Sequence, residues 1–316
     1  MRHLLAGGGG FIGSHLAELF LERGDEVVVV DNFVTGRRSN IEHLAADERF
    51  TMIEHDVTRP LPGFDTTFDT ILDLASPASP TDFATMPLEI LAVGSTGTRN
   101  LLDLAVRHDA RFFLASTSEV YGDPLVHPQP ETYWGNVSSI GPRSCYDEAK
   151  RFSEAITMAY HRVHGLDVRI ARIFNTYGER MRPHDGRVVN TLVVQALHGQ
   201  PITLHGDGSQ TRSFCHVADE IVGLAAVLDG EVTGPINVGN PSEFTIRQLA
   251  ELVVELTDSP SEIITVPLPP EREGDPAQRC PDIRMIGELY GWKPAIELRE
   301  GLTRMIHWFR TAEGIG

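Results

Sequence analysis

Tyr146 and Lys150 stand four positions apart in Tyr146-Asp147-Glu148-Ala149-Lys150. Residues so spaced share one face of a helix. The stripe Ala149, Phe152, Ile156, Ala159 and Val163 predicts that helix. An ammonium beside a phenol favours the phenolate and lowers its pKa towards neutrality. Such a tyrosine is a general base for a hydroxyl group. Upstream, Ser116-Thr117-Ser118-Glu119-Val120-Tyr121-Gly122 follows the apolar run Phe112 to Ala115. Hydroxyls and one carboxylate therefore sit where a buried strand runs out into a loop.

A second constellation lies at the N-terminus. Gly7, Gly10 and Gly13 form a G-x-x-G-x-x-G turn between a first strand and a first helix, with Phe11 and Ile12 inside it. One glycine makes the turn, one lets the backbone approach a pyrophosphate and one lets helix pack on strand, while the helix N-terminus offers free N–H groups to the anion. Asp31 ends the second strand, where a carboxylate accepts hydrogen bonds from an adenosine ribose and repels a 2′-phosphate. The pattern predicts a dinucleotide site with NAD favoured, and Arg37 and Arg38 nearby keep NADP open. Asp56 and Val57, just after the third strand, are placed to reach the adenine.

These residues need a scaffold. Strand candidates are His3 to Ala6, Glu26 to Val30, Phe50 to Glu54, Thr70 to Leu74, Arg111 to Ala115 and Asp167 to Ala171, apolar on both faces as in a covered parallel sheet. Ile12, Leu16, Leu19 and Phe20 form the stripe of the first helix, which Gly24 is placed to end. The alternation predicts an α/β fold: a doubly wound parallel (Rossmann-type) sheet over residues 1–172. After Ile173 Gly, Pro and Arg become frequent, and residues 173–316 read mainly as a smaller C-terminal substrate-binding lobe, with helices near Val188 to Leu197 and Ile246 to Leu256. A segment near 213–240, holding the apolar run Pro235 to Val238, is expected to return to the main sheet.

The bulk properties exclude several partners. A formal charge of -17 argues against nucleic acid or an anionic membrane as a partner. The longest apolar runs fall well below the ~18 residues of a membrane span, and no signal-peptide layout is present. Cys145, Cys215 and Cys280 show no disulfide or metal spacing, so reduced thiols, no metal and a cytoplasmic location are expected.

The segments GGGGFIGSHL, VDNFVTGRR, LASPASP, ASTSEVYGDPLVHPQ, GPRSCYDEAKR, RIARIFNTYG, DGRVV, GDGSQTRSF and DPAQRCPDI together resemble the extended short-chain dehydrogenase/reductases that act on nucleotide sugars. Within them the UDP-glucuronate decarboxylase branch is most similar, over nearly the whole chain. The first turn and the Tyr/Lys pair are common to the wider group; SPASP, SQTRSF and the late Arg-x-Pro-Asp are more specific. The resemblance implies catalysis with NAD that is recycled on the enzyme and a UDP-sugar acid as substrate. It further implies that Tyr146 takes the proton of the sugar 4-hydroxyl, Lys150 tunes it and holds the nicotinamide ribose, and Thr117 bonds the 4-oxygen. Glu119 would face C5 and C6 with Arg279 as its partner. By the same resemblance Asn32, Phe33, Thr35, Gly36, Leu74, Ala75 and Ser76 complete the cofactor site, and Ser118 adjoins the sugar. Asn175 would meet the diphosphate, Val189 and the segment from Thr203 to His205 the uracil, and Arg212 a phosphate. Arg272, in the Pro-rich loop, is a further candidate. A homodimer through helices near Leu88 to Arg107 and Tyr146 to His164 is also implied.

The chain departs from the branch at three places: Ala92 stands for a usual substrate-facing lysine, Asp73 for a histidine and His216 for a tyrosine. Ala92 removes one cation that the resemblance implies for carboxylate recognition. Rival readings are a nucleotide-sugar 4,6-dehydratase or 4-epimerase of the same fold, and a dinucleotide sensor without turnover.

Overall fold

The computed structural model describes residues 1–267, 276 and 278–315, so Arg272 lies outside the described residues. The strands are β1 Arg2–Ala6, β2 Glu26–Asp31, β3 Phe50–Glu54, β4 Thr70–Asp73, β5 Arg111–Thr117, β6 Val168–Ile173, β7 Thr176–Tyr177, β8 Ile202–His205, β9 Thr211–Ser213, β10 Cys215–His216, β11 Pro235–Val238, β12 Glu243–Thr245, β13 Ile263–Val266 and β14 Gln278–Arg279. The α-helices are α1 Phe11–Glu22, α2 Pro80–Thr85, α3 Pro87–Ala92, α4 Thr98–His108, α5 Ser144–His164, α6 Val188–Leu197, α7 Val217–Asp229, α8 Ile246–Thr257, α9 Arg284–Tyr290 and α10 Leu298–Thr311.

A seven-stranded sheet runs in the order β3-β2-β1-β4-β5-β6-β11, every neighbour parallel. Adjacent residues of its inner strands serve opposite faces, as a two-residue repeat requires. Leu5, Val29, Leu72 and Phe113 join α1 and α7 on one side. Leu4, Val28, Ile71 and Phe112 join α4 on the other. Both faces are covered, which is why these strands read as continuous apolar runs. β3, expected to be buried on both faces, is the sheet edge, and Met52 on it is exposed.

The strand order reverses direction between β1 and β4, and ligands in such sheets bind beyond the strand ends at that point. β11 comes from beyond residue 230 yet pairs with β6, Ile236 opposite Ala171. A second core of Tyr177, Leu192, Val193, Leu204, Leu249, Val253, Leu302 and Phe309 unites α6, α8 and α10 with β8. Helix α8 begins at a Thr245–Gln248 capping box. A three-stranded sheet, β12-β9-β14, places Arg279 opposite Arg212.

Helix α5 corrects one expectation. Its buried side carries Cys145, Tyr146, Ala149, Lys150, Ser153 and Thr157, whereas Phe152 and Val163 of the apolar stripe are exposed. Close approach explains the rotation. The Ser153 hydroxyl donates to Gly94 O at 2.8 Å, and a Cβ on Gly94 would stand 2.7 Å from Ala149 Cβ. Among the described residues, no helix is long and apolar enough to cross a membrane.

Candidate active site

At the C-terminal ends of β1, β4, β5 and β6 a cavity of about 530 Å³ opens towards the second core. Gly7, Gly10, Phe11, Ile12, Gly13, Thr35, Leu74, Ser76, Tyr146 and Lys150 line it, and so do all the substrate candidates: Ser118, Glu119, Asn175, Val189, Thr203, His205, Arg212 and Arg279. Thr117 lies among them. Asp31, Asn32, Phe33, Gly36, Asp56, Val57 and Ala75 do not line this cavity. Asp56 turns to its own loop, accepting from the Thr58 amide and hydroxyl at 2.9 and 2.7 Å.

The glycine turn fits a pyrophosphate. Gly7 has φ +81, and a Cβ there would strike Ala75 backbone at 2.8 Å. A Cβ on Gly13 would meet Gly7 O at 2.3 Å. No side chain caps the N-terminus of α1 and no acid stands in its first turn, so its amides are left for an anion. At the end of β2 the Asp31 carboxylate accepts from Gly9 N at 2.9 Å and Phe33 N at 2.7 Å. Each oxygen keeps a further lone pair for a ribose hydroxyl. Arg37 pairs with Glu313 at 2.6 Å and Arg38 with Glu54, so both arginines are already engaged by carboxylates. This arrangement suits NAD better than its 2′-phosphorylated form.

The chemical end is built where β5 stops. Residues Ser118–Tyr121 wind a single tight turn, with the Thr117 hydroxyl accepting from Glu119 N at 3.2 Å. Tyr146 reaches Thr117 by a side-chain hydrogen bond and stacks on Phe83 at 4.9 Å. Burial pushes the Tyr146 phenol up to about 12, against the Thr117 hydrogen bond. The expected lowering of the phenol pKa is thus reversed: burial raises it. Lys150 donates to Ala115 O at 2.9 Å. Burial also lowers the Lys150 ammonium, which Asp73 and Glu154 counter. Asp73 is itself buried and accepts from the Thr98 hydroxyl at 2.8 Å, so the residue that departs from the branch supplies negative charge beside Lys150.

Glu119 is gripped by two arginines. Arg279, almost wholly buried, ion-pairs with Oε1 and donates to Gly122 O at 2.8 Å. Arg143 Nη2 stands 2.6 Å from Oε2. Burial would raise this carboxyl, but Arg143 and Arg279 overcome it and hold Glu119 down to about 2. Asp147, buried nearby, is pushed up to about 7 by burial and by the Glu119 charge. Arg143 was missed in the sequence reading because it precedes the periodic part of α5. Its position three residues before Tyr146 was the available signal. Phe83, Arg182 and Arg187 also line the cavity unforeseen. The Asn175 amide nitrogen is buried without a hydrogen-bond partner, as a diphosphate contact would be. Ala92, at the end of α3, does not line the cavity, and His216 is buried, accepting from Ala218 N at 3.3 Å.

Residues 4–305 match the GDP-mannose 4,6 dehydratase family. UDP-glucuronic acid decarboxylase 1 of Arabidopsis thaliana is 52% identical over 98% of this chain and 70% of its own length. UDP-glucuronic acid decarboxylase 5 of the same plant is 51% identical over 100% of this chain and 91% of its own. This chain belongs to the UDP-glucuronic acid decarboxylase family. The family is an extended short-chain dehydrogenase/reductase group with the parallel sheet described above. Its wider fold relatives include a UDP-glucuronic acid 4-epimerase of Bacillus cereus, solved with UDP-glucuronic acid and NAD. That structure superposes with a TM-score of 0.87 at 26% identity, over 99% of this chain and 100% of the other.

Proposed function

We propose that the protein is a UDP-glucuronate decarboxylase that forms UDP-xylose and CO₂ with recycled NAD. The observation that carries this reading is Glu119, held ionised between Arg143 and Arg279 in the same cavity as the Thr117–Tyr146 pair. A 4,6-dehydratase meets no sugar carboxylate and needs no cationic clasp for one; a glucuronate epimerase does bind that carboxylate, and against that reading stands its 26% identity to this chain beside 51–52% for the decarboxylases.

Tyr146 removes the proton of the 4-hydroxyl, with Thr117 bonded to the same oxygen. NAD held on the glycine turn would supply the acceptor, and later the donor, for the C4 hydride, and Tyr146 gives its proton back to the 4-oxygen at the end. The sugar is then a 4-keto acid with its carboxylate β to the ketone. The C5–C6 bond breaks, CO₂ leaves and the electron pair enters an enolate, whose oxygen Thr117 and Tyr146 stabilise. Arg279 and Arg143 orient the acid, and the fixed charge of Glu119 raises the energy of the substrate carboxylate. Glu119, held ionised by the two arginines, is placed to orient a water towards C5, which takes a proton from that water and leaves hydroxide. Asn175 and Arg212 take the diphosphate, an arginine fork suiting phosphate oxygens. Val189, Thr203 and His205 flank the uracil.

NAD would rest on Gly7, Gly10, Gly13 and Asp31, with Asn32, Phe33, Thr35, Gly36, Asp56, Val57, Leu74, Ala75 and Ser76 around it. We assign residues 1–172 and 213–240 to cofactor binding and the remainder of 173–316 mainly to the nucleotide sugar. A homodimer through α5 and the α3–α4 segment is supported by exposed Leu88, Leu91, Phe152 and Val163. A cytoplasmic location is supported by the three free, buried cysteines.

The test is incubation of the purified protein with UDP-glucuronate and NAD⁺, following the nucleotide sugar by NMR. UDP-xylose with an equivalent of CO₂ is expected. Inversion at C4 without CO₂ would make it an epimerase, and bound NAD with unchanged substrate would overturn the reading.

A further inference from the structure

Sequence spacing pointed to no metal, yet the fold gathers three ligand types from three distant segments. His127 Nε2 lies 2.9 Å from Glu243 Oε2, and the Cys280 thiol joins them, the ligand atoms all within 4.8 Å of one another. His127 follows the Glu119 turn, Glu243 opens β12 and Cys280 directly follows β14. We infer that His127, Glu243 and Cys280 bind a divalent ion of the zinc class, outside the substrate cavity.

The donor set selects the ion. One imidazole nitrogen, one carboxylate oxygen and one sulfur suit zinc, whereas calcium and magnesium require oxygen ligands. Three protein ligands leave a fourth tetrahedral position for water. The surroundings are organised as outer shells of metal sites are. The Thr211 hydroxyl donates to Glu243 Oε1 at 2.9 Å, which leaves Oε2 turned to His127. The main chain of Cys280 is pinned twice to Gln129, two residues beyond His127. Its N–H donates to Gln129 Oε1 at 2.9 Å, and its carbonyl accepts from Gln129 N at 2.9 Å. Cys280 forms the buried floor while His127 and Glu243 are exposed, so an ion enters from solvent and meets sulfur last.

The consequence concerns Arg279 and Arg212. β14 carries Arg279 one residue before Cys280, β9 carries Arg212, and β12 carries Glu243, all in one small sheet. A bound ion staples both ends of that sheet to the 127–129 segment. It thereby sets the position of two arginines of the cavity from the outside.

The experiment needs no substrate and is independent of the proposed reaction. Chelator-treated full-length protein is titrated with cobalt(II), then zinc. One equivalent of cobalt is expected to give a near-ultraviolet sulfur-to-cobalt charge-transfer band that zinc abolishes. Cys280→Ser is expected to lose the band although Cys145 and Cys215 remain, and Glu243→Gln to weaken binding at least about tenfold. No band in the unaltered protein, or the same band in Cys280→Ser, overturns the inference. Should Cys280→Ser fail to fold by circular dichroism, alkylation of the unaltered protein decides. Zinc must then protect Cys280 from iodoacetamide in peptide mass spectra, and undiminished labelling overturns the site.

Discussion

Arg143 closes on Glu119 at 2.6 Å while Arg279 takes the other oxygen of the same carboxylate. Glu119→Gln keeps the size and much of the hydrogen bonding but removes the charge. If that charge drives loss of CO₂, kcat is expected to fall about 10²-fold or more, the scale of losing one preorganised electrostatic contact. The 4-keto sugar and NADH should accumulate, seen by NMR and absorbance. A fall in the first oxidation equal to the fall in CO₂ release would reduce Glu119 to a structural role.

Arg143→Met addresses the residue not foreseen from sequence. It removes one of two cations from a buried carboxylate, and truncating such a partner costs several kcal/mol in some systems. The expected effect is a raised KM for UDP-glucuronate with a smaller change in affinity for UDP alone, measured by calorimetry. Equal weakening of both would place Arg143 outside carboxylate recognition.

Tyr146 is expected to ionise near 12 in the free protein, because burial dominates. A cationic oxidised nicotinamide nearby favours the phenolate. Ultraviolet difference titration, with Tyr146→Phe as the blank, should therefore show this ionisation moving to lower pH on adding NAD⁺. An unmoved titration would remove Tyr146 from the role of base.

Glu220 gives a stability test far from the chemistry. It is fully buried on α7 beside Cys215 and Thr176, and burial pushes its carboxyl up to about 8. Between the ordinary carboxylate range and pH 8 the unfolded chain releases this proton while the folded chain keeps it. Stability from this group therefore falls as pH rises, by at most about 1.4 kcal/mol per unit, and stops falling above about 8. Urea unfolding from pH 5 to 8 should show that slope flattened in Glu220→Gln.

Phe152→Glu examines the exposed side of α5. If that side is the subunit contact, light scattering should show a monomer with its circular dichroism intact. A dimer of unchanged mass would move the contact elsewhere.

Much of the framework was legible because it obeys local rules. Paired apolar residues such as Leu4 and Leu5 marked two-sided strands, and Pro235 to Val238 was readable as a returning strand. The cavity was legible where a motif is contiguous, from Gly7 to Gly13 and at Thr117, Glu119, Tyr146 and Lys150. Long-range features were not. The rotation of α5 depends on Gly94 lying against Ala149, and no stripe count reveals which face a glycine invites. The Tyr146 pKa turned on burial beneath Phe83, which helical spacing does not register. Arg143 and the His127–Glu243–Cys280 group are made by tertiary approach alone.

The last partner of β6 is not made until residues 235–238 have left the ribosome. Throughout synthesis of the intervening segment, a hydrophobic strand of the nascent sheet keeps an unsatisfied hydrogen-bonding margin, the kind of surface on which chains aggregate. A gene fragment ending near residue 172 should therefore yield inclusion bodies rather than an independent cofactor-binding half. The same fragment fused to residues 213–240 should be markedly more soluble.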